Sequence, residues 1–214
     1  MSLPQPSKIV CVGRNYLAHA EELNNPLPTR PLLFMKPPSA ITYLPEVRIP
    51  TDQGECQHEI ELAVHIGKPL RKVSAEQASK AIAGYGVALD LTLRQVQSEL
   101  KAAGQPWERA KAFDGSCVLG PMIDAERFNA SDDFVIQLDV NQYQRQVGHS
   151  RHMIFSIADL LADISQQFTL QPGDIVLTGT PAGVATLALN DELTLHLSQG
   201  DQHWQWGGTV RGDS

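Results

Sequence analysis

Apolar and polar residues alternate along much of this chain, and a few stretches space their apolar residues three and four apart instead. Alternation predicts one-sided strands, because successive side chains of a strand point to opposite faces. It runs through 58–66, through 133–140 as Phe134, Ile136, Leu138 and Val140, and through 192–197 and 204–210. Shorter apolar runs at 8–12, 32–35, 85–91 and 174–177 predict buried strands, the last leading into a tight loop at 178–184. Helices are expected over 16–23, stopped by Asn24-Asn25-Pro26, and over 74–82, with Ser74 as N-cap and Glu76-Gln77 in the first turn. Two more are expected over 92–103, ended by Gly104, and over 156–168, where Ile157, Leu160, Leu161 and Ile164 share a face behind Ser156. Strands and helices do not alternate in a regular βαβ order. The expected fold class is α+β and β-rich, with a few helices packed on mixed sheet, rather than a doubly wound sheet.

Length adds that 1–214 is one domain with a sizeable core. With 24 acids against 17 bases the net charge is −7, and no basic run is present, which argues against a nucleic-acid partner. No apolar stretch approaches membrane-spanning length and the first eight residues carry no apolar signal core, so a cytoplasmic protein without a membrane partner is expected. Cys11, Cys56 and Cys117 are odd in number and widely spaced, which suits reduced thiols. Arg211-Gly-Asp213 matches an adhesion tripeptide but is read as a frayed tail.

The candidate chemistry lies in the acids of the alternating runs. Glu59 and Glu61 share one strand face while Ile60, Leu62, Val64 and Ile66 share the other, and Asp90 interrupts the apolar run 85–91. If the two runs are neighbours, three carboxylates converge into an all-oxygen site that suits Mg²⁺ or Mn²⁺. Without a cation each carboxylate pair at ~4 Å repels by about 4 kcal/mol at an effective dielectric of 20. The plainer alternative is a one-sided strand whose acids face water. Cys56 and His58 resemble part of a zinc site, yet alternation puts them on the face opposite the glutamates. His19 and Glu22, three apart on an expected helix, share a face, so Glu22 can fix the His19 tautomer for proton abstraction; an exposed surface pair fits the same spacing.

The motifs taken in order resemble the fumarylacetoacetate hydrolase family over nearly the whole chain, from Lys8 to about Val210. They are Val12-Gly-Arg-Asn-Tyr16 with His19, Phe34-Met-Lys-Pro37, His58-Glu-Ile-Glu-Leu62, Gly84-Tyr-Gly86 with Asp90-Leu-Thr92 and Arg94-Gln-Val-Gln97, Trp107 with Ala110-Lys-Ala-Phe113, Met153-Ile-Phe-Ser156, and Pro172 through Pro181. The compact length is similar to the single-domain acylpyruvase and oxaloacetate-decarboxylase branch. The resemblance implies a mixed β-sheet roll, usually dimeric, with Mg²⁺ or Mn²⁺ on Glu59, Glu61 and Asp90. It implies that His19 and Glu22 serve as a base pair on a lid at about 14–31, and that Lys111 and Gln97 donate hydrogen bonds to substrate oxygens. Arg14 and the Thr180 loop then lie near the substrate carboxylate. One departure from the family is the run His149-Ser-Arg-His152, where Arg151 replaces a small residue and bears on side-chain preference or a subunit contact.

The activity this implies is divalent-metal-dependent hydrolysis of acylpyruvates (2,4-diketo acids) at a C–C bond, releasing pyruvate, by a homodimer acting on a small 2-oxo acid. The same metal site would alternatively serve an oxaloacetate decarboxylase or a keto–enol tautomerase. A third alternative is an inactive binding protein whose metal only neutralises the acids.

Overall fold

The alternating run at 58–66 forms two strands, Cys56–His58 and Ile60–Ile66, with Glu59 at the break between them. The computed structural model describes residues 6–22, 28–129 and 132–213, with the backbone alone at 19–21. Ile60–Ile66 lies inside an eight-stranded sheet ordered Leu32–Lys36, Ile9–Gly13, Ile175–Leu177, Ile60–Ile66, Ile82–Asp90, Cys117–Leu119, Ile41–Tyr43, with Ile123–Asp124 also on Ile82–Asp90. Ile60–Ile66 and Ile82–Asp90 run antiparallel with Ile60 opposite Leu89 and Glu61 opposite Ala88, so the two acid-bearing runs are neighbours as expected.

The two faces of this sheet bury different sets. Ile60, Leu62, Val64, Ile66, Val87 and Leu89 pack into the main core with Ile136, Leu138, Leu193, Leu195 and Leu197. Those partners belong to a second, five-stranded sheet ordered Tyr143–His149, Val135–Val140, Glu192–Gln199, Gln202–Gly212, Glu46–Ile49. On the other face Ile9, Cys11, Ala63, Ala88, Cys117, Leu119, Ile175 and Leu177 form a smaller core, and Glu61 and Asp90 extend that face at one end. All three cysteines are free thiols and buried, and burial pushes each thiol up. A third, three-stranded sheet joins Ala185–Thr186, Cys56–His58 and Thr92–Leu93.

Several elements depart from the sequence expectation. The helix expected over 74–82 opens on a Ser74–Gln77 capping box but ends at Ser79, because Ile82 pairs with Ile66 in the sheet. Thr92 and Leu93 pair with Gln57 and Cys56 before the helix Arg94–Ala102 begins; Gly104, at φ 64°, follows its end. Tyr143–His149 was not expected as a strand because it is an edge strand with mostly polar, exposed residues. The tail is not frayed: Arg211 and Gly212 pair with Arg48 and Ile49, and Asp213 donates its N–H to the Ile49 carbonyl at 3.2 Å. The described helices include none long and apolar enough to cross a membrane.

Candidate active site

The acids do not face water. Glu59, Glu61 and Asp90 are 5 %, 1 % and 0 % exposed, and one oxygen from each lies within 4.8 Å of the others. Sheet pairing produces this convergence. The Asp90 N–H donates to the Glu59 carbonyl at 2.9 Å, which ties the strand break to the end of Ile82–Asp90. Glu61 sits two residues farther along, on the same face as Asp90.

Three cations hold the cluster. The Lys111 ammonium, on the short helix Glu108–Lys111, donates to Glu59 Oε2 at 2.8 Å, Asp90 Oδ2 at 2.7 Å and Thr92 Oγ1 at 2.6 Å. All three of its protons are therefore engaged within the protein. Burial opposes its charge, but Asp90 and Glu59 outweigh that and hold its pKa above the ordinary lysine range. Arg94 binds Glu59 Oε1 through Nη2, Gln97 Oε1 through Nη1 at 2.7 Å and Gln57 Oε1 through Nε at 2.7 Å. Lys36, fully buried at the end of Leu32–Lys36, reaches Asp90 Oδ1 at 2.7 Å and Ser116 Oγ at 3.1 Å, and also binds the Lys111 carbonyl. Glu61 accepts one N–H, from Gly179 at 2.6 Å. Burial first, then the neighbouring Asp90 and Glu59 charges, raise its carboxyl well above the usual range.

These residues fit a divalent cation. The ligand set is all oxygen, and burial and the neighbouring acids disfavour the ionised form of Glu61 that a cation would stabilise. Asp90 Oδ1 is buried with no hydrogen bond: Lys36 is close enough for an ion pair but lies off the line a hydrogen bond requires. A cation bound by the three acids would answer both features. Cys56 and His58 stay out of the cluster, and His58 Nδ1 instead meets Gln146 Oε1 at 2.9 Å.

In front of the acids a cleft is lined by Arg14, Glu59, Glu61, Asp90, Gln97, Lys111 and Thr180, seven of the nine residues singled out from the sequence. Arg94, Lys101, Phe34, Trp107 and Leu32 also line it, beside Val12 and Gly13. The Thr180 hydroxyl donates to the Ile60 carbonyl at 2.8 Å and accepts from Gln146 Nε2 at 2.9 Å, so it fixes the loop as well as bordering the cleft. Arg14 takes a left-handed backbone (φ 60°) next to Asn15, whose amide binds the Phe155 and Thr178 carbonyls and accepts the Phe155 N–H at 2.8 Å. Asn15→Ala removes all three bonds from a fully buried position and should cost about 2–4 kcal/mol in urea unfolding. A loss under about 1 kcal/mol would mean that this amide does not hold the Arg14 turn.

The remaining expectations fall elsewhere. His19 belongs by backbone to the helix Leu17–Glu22, and its side chain lies outside the described residues, as do residues 23–27 of the expected lid. Asn15 and Tyr16, at the front of that stretch, are buried. Glu22 accepts the Gly183 N–H at 3.1 and 3.3 Å and is not among the cleft residues. Arg151 binds Asp133 at 3.1 Å, together with His149, and does not line the cleft. Lys36, Arg94, Thr92 and Gly179 lie inside the motifs read from the sequence but were given no role there. Lys36 did leave a signal, a lone lysine closing an apolar run before Pro37-Pro38.

Residues 8–208 match the family described as fumarylacetoacetate (FAA) hydrolase C-terminal. The chain is 52 % identical over 191 residues to the oxaloacetate tautomerase YcgM of Escherichia coli K12, covering 88 % of this chain and 87 % of that one. It is 43 % identical to the mitochondrial oxaloacetate tautomerase FAHD1 of Bos taurus, covering 86 % and 84 %. The crystal structure of fumarylpyruvate hydrolase from Pseudomonas aeruginosa with Mn²⁺ and pyruvate superposes with a TM-score of 0.89 at 34 % identity, covering 96 % and 90 %. The chain belongs to the fumarylacetoacetate hydrolase family.

Proposed function

We propose that this chain is a divalent-metal-dependent oxaloacetate tautomerase that interconverts the keto and enol forms of that 2-oxo acid. The observation that carries the reading is the buried Glu59–Glu61–Asp90 set, with an oxygen lacking a hydrogen bond, at the floor of a cleft rich in cations. The 52 % identity to an oxaloacetate tautomerase favours this chemistry over the acylpyruvate hydrolysis first expected.

The three acids would hold Mg²⁺ or Mn²⁺, which supplies a Lewis acid for the 2-oxo and carboxylate oxygens and stabilises negative charge as it develops there. The isomerisation moves one proton: a base takes it from C3, the electron pair becomes the C2–C3 double bond, and the 2-oxygen is protonated. His19 is the proposed base, oriented by Glu22, because an imidazole titrates near neutral pH. Lys111 joins Glu59 to Asp90 with two of its protons and binds Thr92 with the third, and it can turn one toward substrate only by releasing an acid or Thr92. Gln97, with its oxygen held by Arg94, presents its amide nitrogen to a substrate oxygen. Acylpyruvate hydrolysis is the second reading, favoured by the apolar wall of Leu32, Phe34 and Trp107 and by the likeness to fumarylpyruvate hydrolase. It demands water at C4, which tautomerisation does not.

The deciding experiment follows the ultraviolet absorbance of enol-oxaloacetate with protein and Mg²⁺, beside a panel of 2,4-diketo acids. Enol loss is expected to accelerate above the spontaneous rate and to fall back with chelator. Pyruvate release from diketo acids without any effect on enol-oxaloacetate would overturn the tautomerase reading in favour of the hydrolase.

A further inference from the structure

Four cations line the cleft against three acids. Two of the four are engaged, Arg94 on Glu59 and Lys111 on Glu59 and Asp90. Among the described residues neither Arg14 nor Lys101 has a carboxylate within ion-pair distance. Arg94, Gln97 and Lys101 follow one another at three and then four residues along Arg94–Ala102, so they share a helix face. Lys101 is two turns, about 10 Å, farther out than Arg94, and a helical side chain leans back toward the N-terminus, here toward the acids.

The aromatic wall fixes where its charge sits. The Lys101 ammonium lies 5.0 Å from the Trp107 ring centre, Trp107 lies 6.0 Å from Phe34, and the Lys111 ammonium lies 5.2 Å from Phe34. Two ammonium groups thus stand at the two ends of one wall, Lys111 at the acids and Lys101 at the mouth. Partial burial and the neighbouring Arg94, Arg14 and Lys111 charges push Lys101 down to about 8, although its side chain still reaches solvent. An anion arriving beside it relieves that repulsion. A divalent cation on the acids would add to the positive excess, and the cleft then suits a dianion better than a monoanion.

We propose that Lys101 receives the far carboxylate of a dicarboxylic 2-oxo acid and so sets a preference for dicarboxylic over monocarboxylic ligands of the cleft. The inference rests on the 2-oxo acid reading above and adds the residue that discriminates among such acids. The near carboxylate and 2-oxo oxygen would occupy the acid end, and the far carboxylate would point along the Phe34–Trp107 wall to the mouth.

The test is calorimetric titration of Mg²⁺-loaded protein with 2-oxobutyrate and with oxaloacetate, in which a carboxylate stands where 2-oxobutyrate has a methyl group. The wild type is expected to bind oxaloacetate more tightly. Lys101→Met keeps an apolar stem on Trp107 and should weaken oxaloacetate by about 10–100-fold, the worth of one charge-assisted contact, while leaving 2-oxobutyrate unchanged. Lys101→Arg should keep most of the preference. In turnover the Met variant should raise KM and spare kcat. Equal weakening of both acids, or an unchanged ratio, overturns the proposal, as does a fall in kcat at unchanged affinity, which would make Lys101 a proton carrier. Affinity is read independently of the enol assay, so a protein that discriminates between the acids yet leaves enol-oxaloacetate untouched sinks the tautomerase reading alone.

Discussion

Glu61→Gln is expected to abolish the rise in melting temperature that Mg²⁺ gives the wild type, and to lower tautomerisation by about 10²–10³-fold, the several kcal/mol a bound Lewis acid supplies. The substitution keeps the size of a side chain that is 1 % exposed and keeps an acceptor for the Gly179 N–H, so the fold has no reason to change. What it removes is one of three anionic ligands. A cation present at 100 times its Kd stabilises the native protein by about 2.7 kcal/mol, and that increment should be missing from the variant at the same concentration. The metal-free proteins should differ in the opposite sense. Glu61 binds its proton more tightly folded than unfolded, so its contribution to stability falls as pH rises from the ordinary carboxylate range toward its raised folded value. Glutamine has no such dependence, and the metal-free variant should equal or exceed the wild type in stability at neutral pH. A variant that retains the full Mg²⁺-dependent shift would show that the ion binds elsewhere.

The acids were legible in the sequence because period-2 alternation fixes which side chains share a face. Two charged residues opposite a continuous apolar set already implied that Ile60–Ile66 was buried on one side. Their burial on the other side was not legible, because the cover comes from Lys36, Arg94 and Lys111, which lie on three separate elements. A lysine that closes a four-residue apolar run, or an arginine in the first turn of an amphipathic helix, reads locally as a solvated charge. Only the sheet register brings Lys36 to Asp90. The smallest strands failed for a related reason. Thr92–Leu93 pairs through two residues, too few for any periodicity, and so was absorbed into the helix that follows. The reaction was less legible than the site. Hydrolysis, decarboxylation and tautomerisation all draw on negative charge held at the same oxygen, and the residues that provide for this are common to all three. The comparisons moved the balance toward tautomerisation, and Arg151 pairs with Asp133 instead of lining the cleft.

Lys36→Met should destabilise the metal-free protein by about 3–5 kcal/mol in urea unfolding, the usual cost of stranding one member of a buried ion pair. Methionine fills nearly the same space, so little of the loss would come from packing. Nor would much come from the other Lys36 partners, since Ser116 Oγ still donates to the Lys111 carbonyl at 3.0 Å. The cost would come from Asp90. Its Oδ2 keeps Lys111 at 2.7 Å, but its Oδ1, already without a hydrogen bond, would lose the ammonium beside it in a site that water does not reach. The surface pair Lys80–Glu76 has the same 2.7 Å separation, and Lys80→Met is expected to cost no more than about 0.5 kcal/mol, because both of its partners are exposed and screened. Equal distances with unequal costs would isolate burial as the deciding variable. Mg²⁺ should also restore part of the Lys36→Met deficit, since a cation at Glu59, Glu61 and Asp90 supplies positive charge to the same carboxylate. If Lys36→Met costs no more than Lys80→Met, Asp90 does not depend on Lys36 for its charge. If the cost is large but Mg²⁺ recovers none of it, Lys36 holds the sheet end together and does not serve the acid cluster.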